Sequence, residues 1–369
     1  MSDQSWFLIK DIEKLDSPAL VIYTERVKEN IGILKSMIND VSRLRPHVKT
    51  HKSREAIMLM LEAGINKFKC ATIAEAEVLG ICSALDVLLA YQPVGPKLER
   101  FITLIKVFQG TKFSCLVDNT VEAEHISKAA LENKITIPVY IDLNIGMNRT
   151  GIIPAGAPEL YEYCSNLPGI KLMGIHAYDG HIHDNDISVR LQKVNEALVK
   201  VELLRQYVKE RGYPEPTIIA GGSPTFPIHA VGTFECSPGT FIYWDRGYSL
   251  NCTEQPFLTA ALVISRVISL PDETKLCLDL GHKSISAENE LNKRIFFLNA
   301  PELIFVAHSE EHLVVDAGKD HHYQIGDVLY GLPYHVCPTI ALYERAITIE
   351  NNKTSGEWLN IARDRKISI

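Results

Sequence analysis

A (β/α)8 barrel of the TIM type, followed by a second, mostly β domain, is the architecture the sequence predicts. Three observations predict it. From about residue 25 to 245, short apolar runs alternate with segments of helical period, and that alternation implies a parallel sheet. Eight strand candidates take part, the number at which such a sheet closes into a barrel. After about residue 245 the rhythm breaks: LTAALVISRVISL, KLCLDLGH, RIFFLNA, HLVVDAG and ALYERAITIE are short and β-rich, with Asp, Asn, Gly and Pro between them. The expected division is a barrel over 21–245 and a β domain made of 1–20 plus 246–369.

Each element has a local reason. Val27, Ile31, Leu34 and Ile38 mark one helical face, and the first barrel strand follows at 42–48. Helix 54–63 carries Ile57, Met58 and Leu61; strand 67–71 comes next. Thr72 and Glu75 form a capping-box pattern that starts a helix. Strand 86–90 precedes a helix near 97–108, and strand 113–117 precedes one at 121–132. Strand 137–143 ends at NIGMNRTG, and strand 171–177 ends at YDGHIHD. A long helix near 188–211 shows Val194, Leu198, Val201 and Val208 on one side. Strand 216–220 ends at GGSPT, the last barrel strand near 234–243 holds ECSPGT, and the terminal ARDRKISI reads as a final strand. A doubly wound open sheet is the competing architecture, but no GxGxxG follows any strand.

Composition narrows the function classes. The 369 residues are 46% hydrophobic and 22% charged, with a formal net charge of −7 and no long basic run, which argues against nucleic-acid binding. The N-terminus lacks a basic start followed by an apolar stretch, so no signal peptide is expected. No apolar run reaches the length of a membrane span. The eight cysteines are scattered without a CxxC pair, which reads as reduced thiols in the cytoplasm.

Chemistry gathers where barrel strands end. In RPHVKTHKS, Lys49 stands at the end of the first barrel strand and Lys52 three residues on. A lysine facing the barrel mouth loses its proton readily and can form a Schiff base with a carbonyl; on an open surface the same residue is ordinary. Gly221-Gly222-Ser223 follows the seventh strand, and Ser237-Pro238-Gly239-Thr240 lies at the eighth. Those two loops are the usual phosphate site of such barrels, although glycine and proline also mark plain turns. A reactive lysine with a phosphate cradle points to pyridoxal phosphate or to a sugar-phosphate aldolase. His335 and Cys337 offer a nitrogen and a thiolate two residues apart, on one side of an extended segment, a weak pattern for a borderline ion such as Zn2+.

Six ordered stretches, RPHVKTHKS, IDLNIGMNRTGI, AYDGHIHD, GGSPT, SPGTFIYWD and LPYHVCPT, make the chain resemble the D-threonine aldolase and D-serine dehydratase family nearly throughout. The resemblance implies the alanine-racemase-like fold (pyridoxal-phosphate fold type III), a homodimer and a D-amino-acid substrate. It places the cofactor on Lys49, with Tyr178 at the cofactor ring, Arg149 near the cofactor or substrate carboxylate, and Gly222, Ser223, Gly239 and Thr240 around the phosphate. It makes His335 and Cys337 ligands of a divalent metal, Zn2+ before Mn2+. The pair His335/Cys337 leans toward the dehydratases, whereas YDGHIHD leans toward the aldolases, in which a histidine after the tyrosine is the base on the substrate hydroxyl. His183 or His181 would fill that role, though the spacing departs from the family pattern. The expected activity is retro-aldol cleavage of β-hydroxy-D-amino acids to glycine and an aldehyde. The alternatives are a D-serine dehydratase, a racemase using Tyr243 or Tyr248 as second base, and a non-catalytic pyridoxal-phosphate-binding protein.

Overall fold

The computed structural model describes residues 6–369, so residues 1–5 of the expected 1–20 segment lie outside the described part. The chain forms two compact units, one of Met1–Ile33, Thr50–Glu55 and Thr240–Arg363, the other of Leu34–Lys49, Ala56–Gly239 and Asp364–Ile369. The expected barrel span of 21–245 differs from the second unit at both ends and is interrupted by Thr50–Glu55.

The second unit is the barrel. Seven parallel strands, Lys67–Cys70, Asp86–Leu89, Lys112–Val117, Ile137–Asp142, Ile170–Ala177, Thr217–Ala220 and Glu235–Cys236, pair in sequence order. The expected strand at 42–48 is a 3-10 turn at Val41–Arg43 and then extended chain that closes the ring. Leu44 bridges Cys236 and His47 bridges Lys69, both in parallel. Arg45 N donates to Cys236 O (2.8 Å), and Val48 N donates to Lys69 O (2.9 Å). The eighth strand is only Glu235–Cys236, since Pro238 has no N–H for the ladder. Leu88, Leu116, Tyr140 and Ile219 fill the barrel interior.

The outer helices begin where side chains satisfy their first amides. Thr72 accepts from Glu75 N (3.1 Å), while Glu75 accepts from Ala71 N (2.7 Å). Asn119 and Asp186 cap the helices Thr120–Glu132 and Ile187–Glu210 in the same way. The helix Ala157–Asn166 has no counterpart among the expected elements; its buried stripe is only Leu160, Tyr161 and Cys164 behind Ala157. Below the strands, buried Arg45 binds Asp86 (2.6 Å) and Glu235 (2.7 Å), and Lys67 binds Glu235 (2.5 Å). The terminal ARDRKISI is not a strand: Ile361–Arg363 is a 3-10 turn, and the amides of Ser368 and Ile369 donate to buried Glu77 of the barrel unit.

The first unit is built on a nine-stranded sheet. Ala19–Tyr23 lies between Ala261–Ser269, antiparallel to it, and Arg345–Glu350, parallel to it. That pairing is why the leading residues join the β unit. Its core includes Val21, Tyr23, Leu262, Ile264, Leu332 and Ile349. No helix among the described residues is long and apolar enough to cross a membrane.

Candidate active site

The barrel unit carries a cavity of about 640 Å³ at the C-terminal ends of its strands. Lys49, Lys69, Arg149, His176 and Tyr178 are among its walls. Lys49 is the last residue of the closing segment. The segment is pinned by His47, whose amide donates to Pro238 O (3.0 Å) and whose Nδ1 accepts from Lys49 N (3.2 Å). The side chain of Lys49 stands exposed in the cavity.

Tyr178 leaves the strand Ile170–Ala177, two residues after His176, so both side chains share one face. Their rings lie nearly parallel, 6.5 Å apart. Arg149 stands 5.3 Å from the Tyr178 ring centre, within reach of a cation–π contact. The Arg149 loop is tied down by its neighbours. Thr150 donates to Asp142 Oδ2 (2.8 Å) and Gly151 N donates to Asp118 Oδ2 (3.1 Å). Gly151 has φ +99, and a Cβ there would stand 2.9 Å from Asn144 N, so the turn after NRT requires glycine.

His176 Nδ1 meets Asp142 Oδ1 at 2.8 Å, and His176 Nε2 is buried with no partner among the described residues. Burial and the nearby Lys69 hold His176 below its ordinary value. Burial pushes Asp142 up, but its bonds from His176, Thr150 and Gln92 prevail and hold it low. The ring is therefore neutral, with its proton on Nδ1 facing the carboxylate. Lys69 is pressed down to about 7 by burial and by Lys49, against Asp142 and Asp179.

The two glycine loops are stitched together. Ser237 N donates to Gly221 O (3.0 Å), and Gly239 N reaches Ser223 Oγ only at 3.3 Å. Gly222 N reaches Asp179 Oδ1 at 3.3 Å, and Asp179 is fixed by His229 Nε2 (2.7 Å). A Cβ on Gly222 would touch the Tyr178 ring at 3.4 Å, and Ser237 Oγ is buried without a partner among the described residues. Long amide bonds and an orphaned hydroxyl beside bare glycine suit an incoming anion. The structure thus brings Gly222 beside Tyr178, with Ser223 next in the chain and Gly239 bonded to Ser223, while Thr240 belongs to the β unit, 3.8 Å from Cys337 Sγ.

His181 and His183 are not among the cavity's walls. His181 packs on Gly146, and His183 Nδ1 donates to His181 O (3.0 Å) on an exposed loop.

In the β unit His335 is not on an extended segment shared with Cys337. It caps the helix Val336–Ile340, whose first turn holds Cys337. The pair still converges: burial pulls His335 down, but Cys337, Glu288 and Asp245 push it up to about 9. Glu288 takes the Nδ1 side of the ring. Buried Asp245 accepts from Val336 N (3.0 Å) and Tyr248 N (3.0 Å), yet burial still raises it to about 6. Thr50 Oγ1 stands 3.2 Å from Cys337 Sγ. Among the described residues no three His, Cys, Asp or Glu side chains are arranged to hold a metal.

Residues 22–247 match the family model described as alanine racemase, N-terminal domain. The chain belongs to that family. Residues 260–349 match a second family described as a putative serine dehydratase domain. The chain is 27% identical to a D-threonine aldolase of Arthrobacter sp, over 95% of this chain and 94% of that protein. It is 24% identical to a D-threo-3-hydroxyaspartate dehydratase of Delftia sp. (strain HT23), over 89% of this chain and 93% of that protein. Its fold matches the crystal structure of a D-threonine aldolase from Filomicrobium marinum with a TM-score of 0.85, at 24% identity, covering 95% and 96% of the two chains. The fold is accordingly that of the alanine-racemase type expected, a curled parallel barrel sheet with a mostly β domain.

Sequence reasoning missed Lys69, His176 and Asp142. The period of a strand held the signal for one of them, since His176 stands two residues before Tyr178; Lys69 is the penultimate residue of Lys67–Cys70, bridged to the Lys49 segment at His47.

Proposed function

We propose that this protein is a pyridoxal-phosphate-dependent lyase acting on β-hydroxy-D-amino acids, of the D-threonine aldolase type. The observation that carries this reading is the exposed Lys49 amine in a strand-end cavity beside Tyr178 and Arg149. Lys49 would hold the cofactor, Tyr178 would lie against its ring, and the amides of Gly222 and Gly239 with Ser223 would receive its phosphate. The orphaned Ser237 hydroxyl supports that fit. When bound, the cofactor supplies an electron sink for the pair left on Cα. Arg149 is positioned to bind a carboxylate with its fork and so to orient the substrate. Tyr178 and the loop tied by Thr150 and Gly151 keep that arginine at the cavity.

His335 and Cys337 would hold a divalent metal, Zn2+ by the softness of the thiolate. Glu288 on Nδ1 suits this, since a carboxylate on one ring nitrogen fixes the other toward an ion. A metal there polarises a hydroxyl oxygen. A homodimer in the cytoplasm completes the reading.

The second reading is a dehydratase giving pyruvate and ammonia from D-serine. The His335/Cys337 pair and the match of 260–349 to a putative serine dehydratase domain favour it. For a racemase, Tyr243 is poorly placed as the second base: it is fully buried, and burial pushes its phenol far above its ordinary value.

Product analysis tests the proposal. Purified protein receives D-threonine or D-serine with pyridoxal phosphate and either Zn2+ or Mn2+. Glycine and acetaldehyde from D-threonine are expected, and Lys49→Ala abolishes both the products and the cofactor's visible absorbance. Pyruvate from D-serine would transfer the assignment to the dehydratase. Unchanged absorbance in Lys49→Ala would sink the lysine's role.

A further inference from the structure

A second lysine faces the cavity, and the reaction as described leaves it unused. Lys69 is the penultimate residue of the strand Lys67–Cys70, and its backbone is fixed on the side of the closing segment: its N–H donates to Pro46 O, and its carbonyl accepts from Val48 N, both at 2.9 Å. That pairing sets it beside the segment bearing Lys49. The residue is 4% exposed, and among the described residues no hydrogen bond or ion pair reaches its amine. Nζ instead lies 5.0 Å from the centre of the Tyr178 ring, in the cavity wall. Burying an ammonium is costly, so the site favours the neutral amine, which is a base.

We propose, on the lyase reading above, that Lys69 is the acid–base residue of the cavity, taking the proton of the substrate's β-hydroxyl and returning it to Cα. The O–H bond breaks and its proton passes to the Nζ lone pair. The O–H electron pair becomes the second bond of the new carbonyl at Cβ. The Cα–Cβ bond breaks, and its pair stays with Cα. The proton then moves from Nζ to Cα, which completes glycine and leaves Lys69 neutral. No other atom enters or leaves.

The surroundings select Lys69 over other bases. His181 and His183 are off the cavity wall. His176 is among the cavity's walls, but it is a weak base there, because burial first, and then the neighbouring Lys69 and Arg149, disfavour its protonated form. The charged groups facing Lys69 are Lys49 from the closing segment, Asp142 and Arg149 from the strand Ile137–Asp142 and its loop, and Asp179 after the strand Ile170–Ala177. The two cations favour the neutral amine and the two carboxylates favour the ammonium, and burial with Lys49 sets the balance near neutrality.

The test is the cofactor-loaded holoenzyme as wild type, Lys69→Gln, Lys69→Met and His176→Gln. Three properties are read: cofactor absorbance, the pH profile of D-threonine cleavage, and deuterium exchange at Cα of glycine. Both Lys69 variants are expected to keep the absorbance, to lose about 100-fold or more in kcat, and to lose the limb of the pH profile near neutrality. Their deuterium exchange falls too, whereas His176→Gln keeps the limb. Two variants guard against one failing to fold. Turnover within about threefold of wild type in either Lys69 variant, or a limb that vanishes in His176→Gln instead, overturns the proposal. A wild type that holds the cofactor but cleaves no β-hydroxy-D-amino acid overturns the lyase reading and this inference together. Cleavage by wild type, with Lys69→Gln within about threefold of its rate, overturns this inference alone.

Discussion

His51, two residues beyond Lys49, carries a consequence for acid stability. Its ring is 1% exposed, its Nδ1 accepts from Ser53 N at 3.3 Å, and its Nε2 has no partner among the described residues. Burial pushes it down to about 3. The unfolded chain takes up this proton below about 6.5, while the folded protein refuses it until about 3. The unfolded state therefore binds more protons across that window, and stability falls as pH drops through it. His51→Gln should flatten that part of the curve, read as denaturation midpoints from pH 7 to 4; an unchanged slope would assign the acid sensitivity elsewhere. At this scale the sequence told much but not all. Lys49, Tyr178, Gly222, Ser223 and Gly239 stood in recognisable motifs, and the structure gathers them in one unit. Lys69 and His176 lay in plain strands, where only the facing direction of the side chain separates a site residue from core.

Among the elements, the helix Ile73–Ile81 was the most legible, because its start is written in side chains. Thr72 and Glu75 satisfy two amides that the first turn leaves open. Thr72→Ala should cost about 0.5–2 kcal/mol in urea titration, and Thr72→Ser should recover most of it. The helix Ala157–Asn166 escaped notice because its apolar face beyond Ala157 is three residues long and proline stands both in the turn before it and in its first turn. The eighth strand was read too long for a related reason: the apolar run continues past Pro238, but the ladder cannot. Local pattern reports burial, whereas pairing depends on which amides meet a partner.

At the scale of the whole molecule, the ring closes on charge as well as on hydrogen bonds. Arg45, 1% exposed, ties the closing segment to Asp86 and Glu235, which lie on strands at opposite sides of it. Arg45→Met removes the partner that Asp86 and Glu235 share and leaves each only one partly exposed lysine, Lys112 at 3.6 Å and Lys67 at 2.5 Å, so it should cost about 3 kcal/mol, measured by guanidinium unfolding. A loss below about 1 kcal/mol would mean that water replaces the arginine there. The division of the chain was the least legible feature, since a six-residue loan such as Thr50–Glu55 leaves no mark in composition. Each unit is assembled from three separate stretches. Neither can be lifted out as one length of gene. A clone beginning at Ala56 would lack the stretch that seals the barrel, and Lys49 with it; a clone ending at Gly239 would lose the two amides that bind Glu77. The lysine proposed to carry the cofactor is the last residue before a crossing, so recombination can exchange this barrel only together with the Thr50–Glu55 stretch of the other unit.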